Sequence, residues 1–526
     1  MRVSSRPAAL AAFAAAALAA VATLAPSAAR AQDFTFDGAV QTTGGDFFYL
    51  PFSVPAGTQE IEILHADLSS NNILDWGLDD ANGTFRGWGG GNTENAVVGI
   101  DRASRSYLTG PIAAGTWRVV VGKAKLVDLP GAYHVEVTLR TAPTLAAQPE
   151  RTPYVPAAPL STGPRWYAGD LHVHSRESGD AHPTLDAIAA LASNRTLDFV
   201  ILSDHNTTSQ FDFVVDAQSR FPGLLIIPGL EFTTYAGHAN AIGVHSWVNH
   251  RIGDAGRTIG QAVADVHAQG ALFSINHPAL NLGDLCIGCA WKHDVPASEI
   301  DGVEIANGGW SEVGNLFDPQ AIHFWEQVLD SGSHAVALGG SDDHSAGVNE
   351  GTYGSPIGDP TTLVYADDLS EASILAGIRA GRTVVKLQGP GDPMVELSAD
   401  VPFTSAISSA ASATFTAHVT GGTGQRVRFI VNGKAENVVD VTSDPFDATL
   451  HVAGPARVRA EVVVAGAART ITSHLFLEGH AGSSKGCGCA LEKPGDARGS
   501  VTGGIAALVL ALALARARRD AARARS

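Results

Sequence analysis

The sequence predicts an α/β protein: a central (β/α) barrel-type domain flanked by N-terminal and C-terminal β-sandwich domains. Three observations carry this. Over residues 166–390, apolar runs of strand length alternate with helical periodicity, the pattern of strands joined by helices and covered on both faces. Residues 33–142 and 393–480 instead show only short β-type runs broken by turn signals. Finally, thirteen of the 19 histidines lie between His172 and His344, several of them at the ends of the central apolar runs.

The first β module reads DFFYLPFSV, EIEILHADL, TWRVVVGKAKL and YHVEVTL, a spacing that suits a sandwich. Trp76, Trp88 and the run Gly87–Gly91 are expected as its core and turn residues, with the lining of a ligand loop as the alternative. Residues 143–165 are rich in Pro, Ala and Thr and read as a linker, or as chain draped over the next domain. In the centre, candidate strands are WYAGDLHVH, LDFVILSDH, LLIIPGLEF, ANAIGVH, ALFSINH, GVEIAN, AVALGGSDDH and TTLVYA. Helical patterns cover Leu185–Ser193, Ile259–Ala268, Gln320–Leu329 and Ala372–Ala380. The last module reads ATFTAHV, RVRFIVNG, FDATLHV, RVRAEVVV and TITSHLFL, with a hairpin signal at Val431–Lys434, and is expected as an immunoglobulin-like sandwich.

Composition narrows the function classes. A chain of 526 residues is long for one domain, and its formal net charge of −18 argues against non-specific nucleic-acid binding, which needs a basic surface. The N-terminus reads as an export signal over residues 1–31: MRVSSR, an Ala/Leu-rich run from Ala8 to Ala25, and a small-x-small site at Ala29–Ala31. Near the other end, KGCGCA (Lys485–Ala490) precedes an apolar run, Val501–Ala515, and five arginines. That run is shorter than the ~20 residues of a full span. A processed sorting signal within 485–526 fits it better than a permanent membrane helix. The tail resembles the myxobacterial C-terminal sorting signal. The resemblance implies processing or lipid anchoring at Cys487 or Cys489, and a protein exported to the cell surface or outer envelope, anchored or released. The other cysteines, Cys286 and Cys289, form CIGC and are expected as a local disulfide staple, with free thiols as the alternative. A zinc site there would need further ligands.

The chemistry is concentrated in GDLHVHS (Gly169–Ser175), SDHN (Ser203–Asn206), PGLEF (Pro228–Phe232), GHAN (Gly237–Asn240), NHP (Asn276–Pro278) and GSDDH (Gly340–His344). His172 and His174 are two apart on a strand, so both point to one face. His205, Glu231, His277, Asp342 and His344 follow or end apolar runs. The C-terminal strand ends of a barrel form one mouth, so these residues are expected to converge there. Histidine and carboxylate without thiolate suit divalent transition metals, Zn, Mn or Fe. Asp204, Asn206 and Asn276 flank ligands and are candidates to orient them.

In their order, these motifs resemble the PHP (polymerase and histidinol phosphatase) superfamily, and within it the exported CehA/McbA-type metallohydrolases. The resemblance spans residues 166–390. It implies a distorted seven-stranded (β/α) barrel with two or three metal ions, Glu231 being the expected bridge between them, and the ligand set His172, His174, Asp180, His205, Glu231, His238, His277, Asp342 and His344. Asp180 stands one place later than the usual acid of that motif, and Glu177 is the alternative ligand. Asp204, His182 and His245 are further catalytic candidates, His182 facing substrate and His245 as a general acid.

The expected function is an exported metal-dependent hydrolase of small-molecule esters, first of phosphoesters, using hydroxide generated at a di- or trinuclear site. Carbamate, amide or carboxylic-ester hydrolysis on the same barrel is the near alternative. A non-catalytic surface-binding protein is the alternative from another class.

Overall fold

The computed structural model describes residues 32–283, 286–308, 315–348 and 356–479. The expected export signal and sorting tail, with Cys487 and Cys489, lie outside the described residues. The chain divides into two compact units.

The first unit holds the chain through Pro153 with two short segments from further on, Glu177–Asp180 and Thr207–Phe213. Its frame is two four-stranded antiparallel sheets. One contains Gln32–Val40, Gly131–Arg140, Glu60–Asp67 and Ala96–Gly99; the other contains Phe47–Val54, Gly115–Lys125, Ile73–Asp79 and Phe85–Gly90. Period-2 patterning builds them: along Phe47–Val54, Leu50, Phe52 and Val54 are buried while Pro51 and Ser53 are exposed. The inward residues of both sheets, among them Phe52, Ile61, Trp76, Trp117 and Val137, form one core. Trp88 is buried as well. The stretch after Arg140 is not a free linker, because Thr144 bonds the buried Glu60 carboxylate through its N–H (2.8 Å) and hydroxyl (2.6 Å). Arg151 reaches Asp212 at 3.0 Å.

The second unit carries the remaining described chain. It is mixed α/β and rich in strands. The strands Leu225–Ile227, Phe199–Leu202 and Thr162–Val173 pair in parallel, and Thr361–Asp368 and Thr383–Lys386 extend them antiparallel. A second sheet runs Asp204–His205, Gly229–Thr234, Gly237–Ile242, Leu272–Ile275, Gly302–Asn307 and Val336–Gly340. Gly237–Ile242 is antiparallel to both neighbours. It follows its predecessor after two residues, too few for the crossover that a parallel pair needs.

The expected closed seven-stranded barrel is not what the strand pairing gives: among the described residues the ladders do not close into a ring. Two expected strands are each broken into two, at Ser203 and at Pro228, and each half pairs in a different sheet. Pro228 has no N–H to give to a ladder. Past Gly340 the chain meets the end of Thr162–Val173 through the isolated bridge Val173–Asp343, flanked by backbone bonds from Asp342 N to His172 O (2.9 Å) and His174 N to Asp343 O (3.0 Å).

Helices Leu185–Asn194, Ile259–Ala268, Asn315–Asp330 and Glu371–Arg379 match the four periodic stretches. Thr184, Thr258 and Ser370 cap three of them, Thr258 in a full capping box with Gln261. A fifth helix, Phe211–Arg220, goes unread in the sequence, where its polar residues mask the apolar stripe.

The last β module does not stand apart. Its strand Ala467–Thr472 pairs with Thr383–Lys386, so one eleven-stranded sheet runs from the centre into the module. A three-stranded sheet of Met394–Ala399, Ser412–Thr420 and Phe446–Ala453 completes it, with Phe415, Phe429 and Val462 in the shared core. The hairpin at Val431–Lys434 forms as its sequence signal predicts, with Asn432 (φ 48°) and Gly433 (φ 77°) both left-handed.

Candidate metal centre

The HxH pair ends the strand Thr162–Val173. Asp170 anchors that end: its Oδ1 accepts from the N–H groups of His172 (3.1 Å) and Ser341 (3.0 Å), and its Oδ2 from Gly358 N–H (2.6 Å). Burial pushes the Asp170 carboxyl up to about 6 despite these bonds. At Gly340 the backbone passes so close that an added Cβ would stand 2.7 Å from His172 N. Glycine there permits the approach. The next residue but one, Asp342, takes a left-handed φ of 56°, and its Oδ1 lies 3.2 Å from His172 Nε2 and 3.0 Å from His174 Nε2.

Glu231, fully buried on Gly229–Thr234, is the hub. Its Oε1 lies 3.1 Å from His277 Nε2, 3.3 Å from His238 Nδ1 and 3.4 Å from His172 Nε2. Its Oε2 lies 2.8 Å from His205 Nδ1 and 3.8 Å from His174 Nε2, yet makes no hydrogen bond. Asn276 Nδ2 donates to Glu231 Oε1 (2.9 Å) and to Asn240 Oδ1 (2.9 Å), fixing the carboxylate in place. His344 completes the array, its ring stacked on His174 with centroids 4.0 Å apart.

The electrostatics follow from this crowding. Burial alone would push the Glu231 carboxyl up; the His172, His205 and His238 rings overcome this and hold it well below the usual range. Burial would likewise lower His172, but Asp342, Glu304 and Glu231 raise it well above an ordinary histidine. Burial, then His344 and His205, take His174 down to about 3.

The donor set fits cations. Three groups of ligand-type side chains have their atoms within 4.8 Å of one another: His172, Glu231 and His277; His172, His174 and Asp342; His174, His205 and His344. His172 Nε2 and His174 Nε2 face each other at 3.1 Å. Both nitrogens also face Asp342 Oδ1, and imidazole with carboxylate is the donor mixture that holds zinc, manganese or iron. The buried, unbonded Glu231 Oε2 points the same way.

Eight of the nine expected ligands thus come together: His172, His174, His205, Glu231, His238, His277, Asp342 and His344. Asp180 does not join any such group among the described residues; it is exposed and falls within the first unit. Glu177, the alternative, is there too. Its buried carboxylate is taken by Ser106 N–H (2.9 Å) and Ser209 Oγ (2.7 Å), which makes it a clamp within that unit.

The other candidates fare differently. Asp204 is buried, and its Oδ1 accepts from Ser175 N–H (2.8 Å) and Oγ (2.9 Å), holding the turn after the HxH pair. Asn206 pins Thr233 through two backbone bonds. His182 is exposed, with its backbone N–H on His344 O at 3.3 Å. His245 Nε2 lies 2.7 Å from Glu371 Oε1 and its ring is edge-on to Tyr154, so that nitrogen is engaged at the first turn of a helix.

Sequence reading missed Glu304. Its Oε1 lies 3.0 Å from His172 Nδ1, and its Oε2 accepts from His277 N–H (2.8 Å) and Asn307 Nδ2 (3.1 Å). The strand register shifts between Glu304 and Ala306, as at a bulge that re-aims a side chain. The signal was present: a carboxylate in the middle of an otherwise apolar strand, GVEIAN.

No family model and no curated protein matches the chain. Among solved structures it is similar to an amidohydrolase from Chromobacterium violaceum, at 18% identity and TM-score 0.24 over 34% of this chain and 88% of that one. It is also similar to a two-domain protein from Bacteroides vulgatus described as containing a predicted PHP-like metal-dependent phosphoesterase, at 20% identity and TM-score 0.35 over 63% of this chain and 100% of that one.

Proposed function

We propose that this chain is a PHP-type metal-dependent hydrolase of the CehA/McbA-like branch, and that it cleaves phosphoesters. The observation that carries the reading is the set of five imidazoles around Glu231, joined to Asp342 and His344. His172, His174, His205, Glu231, His238, His277, Asp342 and His344 would hold two or three ions. Divalent Zn, Mn or Fe bound there supplies Lewis acidity towards a phosphoryl oxygen and an activated water at neutral pH.

The surrounding residues set the geometry. Glu304 accepts the His172 Nδ1 proton and so fixes the tautomer that turns Nε2 towards Glu231 and Asp342. Asn276 holds Glu231 in place. His182, exposed and joined through its backbone N–H to His344 O, is the candidate in this reading to face the substrate. Phosphoesters are preferred as substrates because a cluster of cations suits an oxyanion that is charged before and during reaction. Export and attachment at the cell surface complete the proposal; they rest on the sequence of residues 1–31 and 485–526.

The test is elemental analysis of the purified protein with a substrate panel of p-nitrophenyl phosphate, bis-p-nitrophenyl phosphate and a naphthyl carbamate, with Mn or Zn added. Two or three transition-metal equivalents and turnover of a phosphate ester are expected. Turnover of the carbamate alone would move the assignment to carbamate, amide or carboxylic-ester hydrolysis. Less than one metal equivalent with no turnover would leave a surface-binding protein. Replacing His172 and His174 together by Ala removes activity and part of the metal; full turnover in that variant would place the site elsewhere.

A further inference from the structure

A fourth group of ligand-type side chains remains: His238, His277 and Cys289, all buried, with ligand atoms within 4.8 Å of one another. Cys289 is joined to Cys286 in a disulfide, with Cα atoms 5.6 Å apart. The CIGC loop is seated firmly. Ile287 O lies 3.3 Å from His238 Nε2. Gly288 (φ 80°) lies flush on the turn before His238, where an added Cβ would come within 2.9 Å of Tyr235 Cα. On the other side, His277 Nδ1 is buried without a hydrogen-bond partner. A staple for loop stability alone would not need two ligand histidines beside its sulfur.

We propose that Cys289 is a redox-gated ligand of the metal centre. With the disulfide closed, its sulfur binds no cation, because the thiolate is the metal ligand. A dithiol reductant opens it by exchange: the S–S bond breaks, the dithiol closes to its own disulfide, and its two protons pass to Cys286 and Cys289. The Cys289 thiol then gives up its proton on binding and joins His238 and His277, so that two imidazole nitrogens and one thiolate sulfur face the ion. That set favours Zn or Co over Mn. Since His277 also faces Glu231, the redox state redistributes ions within the centre. The inference rests on the metal-centre reading above.

The experiment is a cobalt titration of the metal-free full chain, oxidised and after dithiothreitol treatment with anaerobic desalting. Visible d–d bands report any bound Co; a near-ultraviolet sulfur-to-cobalt band reports a thiolate ligand. The oxidised chain is expected to show d–d bands alone. The reduced chain shows both, and so does Cys286→Ser without reductant, since it frees the Cys289 thiol. Reduced Cys289→Ser shows d–d bands alone. Reduction tightens Zn binding roughly tenfold or more in a chelator competition and leaves Mn binding unchanged. Absence of the sulfur band from both the reduced chain and Cys286→Ser, or its persistence in reduced Cys289→Ser, overturns the proposal while leaving the centre intact. Absence of d–d bands from every sample overturns the metal-centre reading itself.

Discussion

Glu304 Oε1 stands 3.0 Å from His172 Nδ1, on the side of the ring away from Glu231 and Asp342. A carboxylate behind a ligand imidazole fixes its tautomer and its rotation. Glu304→Gln is therefore expected to weaken metal binding by roughly 10–100-fold with the fold retained. Competition with a chromophoric chelator, alongside circular dichroism, checks this. Unchanged affinity would mean the His172 ring is oriented by packing alone.

Gly340 is where the backbone leading to Asp342 passes the HxH strand, with no room for a Cβ beside His172 N. Gly340→Ala must push the two apart. We expect a loss of about 1–3 kcal/mol of stability, as for other overpacked sites, together with a larger fractional loss of metal affinity. Urea unfolding of the metal-free and metal-loaded protein separates the two effects. Equal denaturation midpoints for variant and parent would show that the strand can yield.

Metal should stabilise the second unit by linkage. A ligand that binds only the folded state at about 100 times its Kd adds about 2.7 kcal/mol. Melting temperature should therefore rise on adding Zn or Mn and fall with EDTA. In Glu231→Gln, which removes the central charge, the increment should shrink sharply. An increment of the same size in that variant would show that the ions bind without the hub.

His65, on Glu60–Asp67 of the first unit, is buried against Trp76, ring on ring at 4.7 Å. Burial takes its pKa down to about 4. Below an unfolded pKa of about 6.5 the unfolded chain therefore takes up a proton that the folded unit refuses, so stability falls with acidification. The loss begins near pH 6.5 and levels off below about 4, reaching about 2 kcal/mol at pH 5. Denaturation midpoints at pH 7 and 5 in the parent and in His65→Gln measure it. The variant should lose less between the two; an identical loss in both would assign the effect to other groups.

Much of the architecture was readable because periodicity reports burial. The apolar runs, the capped helices and the Asn432–Gly433 turn each follow from local side-chain chemistry, and the structure has them where their patterns stand. The eight converging side chains were readable for a related reason. Polar residues at the ends of apolar runs have few structural uses, so their positions mark a rim.

The rest depended on contacts distant in sequence. Asp180 and Glu177 were ligand candidates by type and spacing, but only the fold shows Glu177 claimed by Ser106 and Ser209. His245 has a suitable ring, yet Glu371, more than a hundred residues on, engages it. Glu304 hid inside an apolar strand until its bulge was seen to turn it behind His172. The sequence by itself determined most of the strand and helix segments, though not the helix Phe211–Arg220, and which side chains carry ligand-type atoms, since both are properties of short stretches. Only the tertiary structure decided which of those atoms meet, that the ladders break at Ser203 and Pro228 rather than close, and that a disulfide lies beside His238 and His277. Pairing between remote segments sets distances that no local pattern encodes.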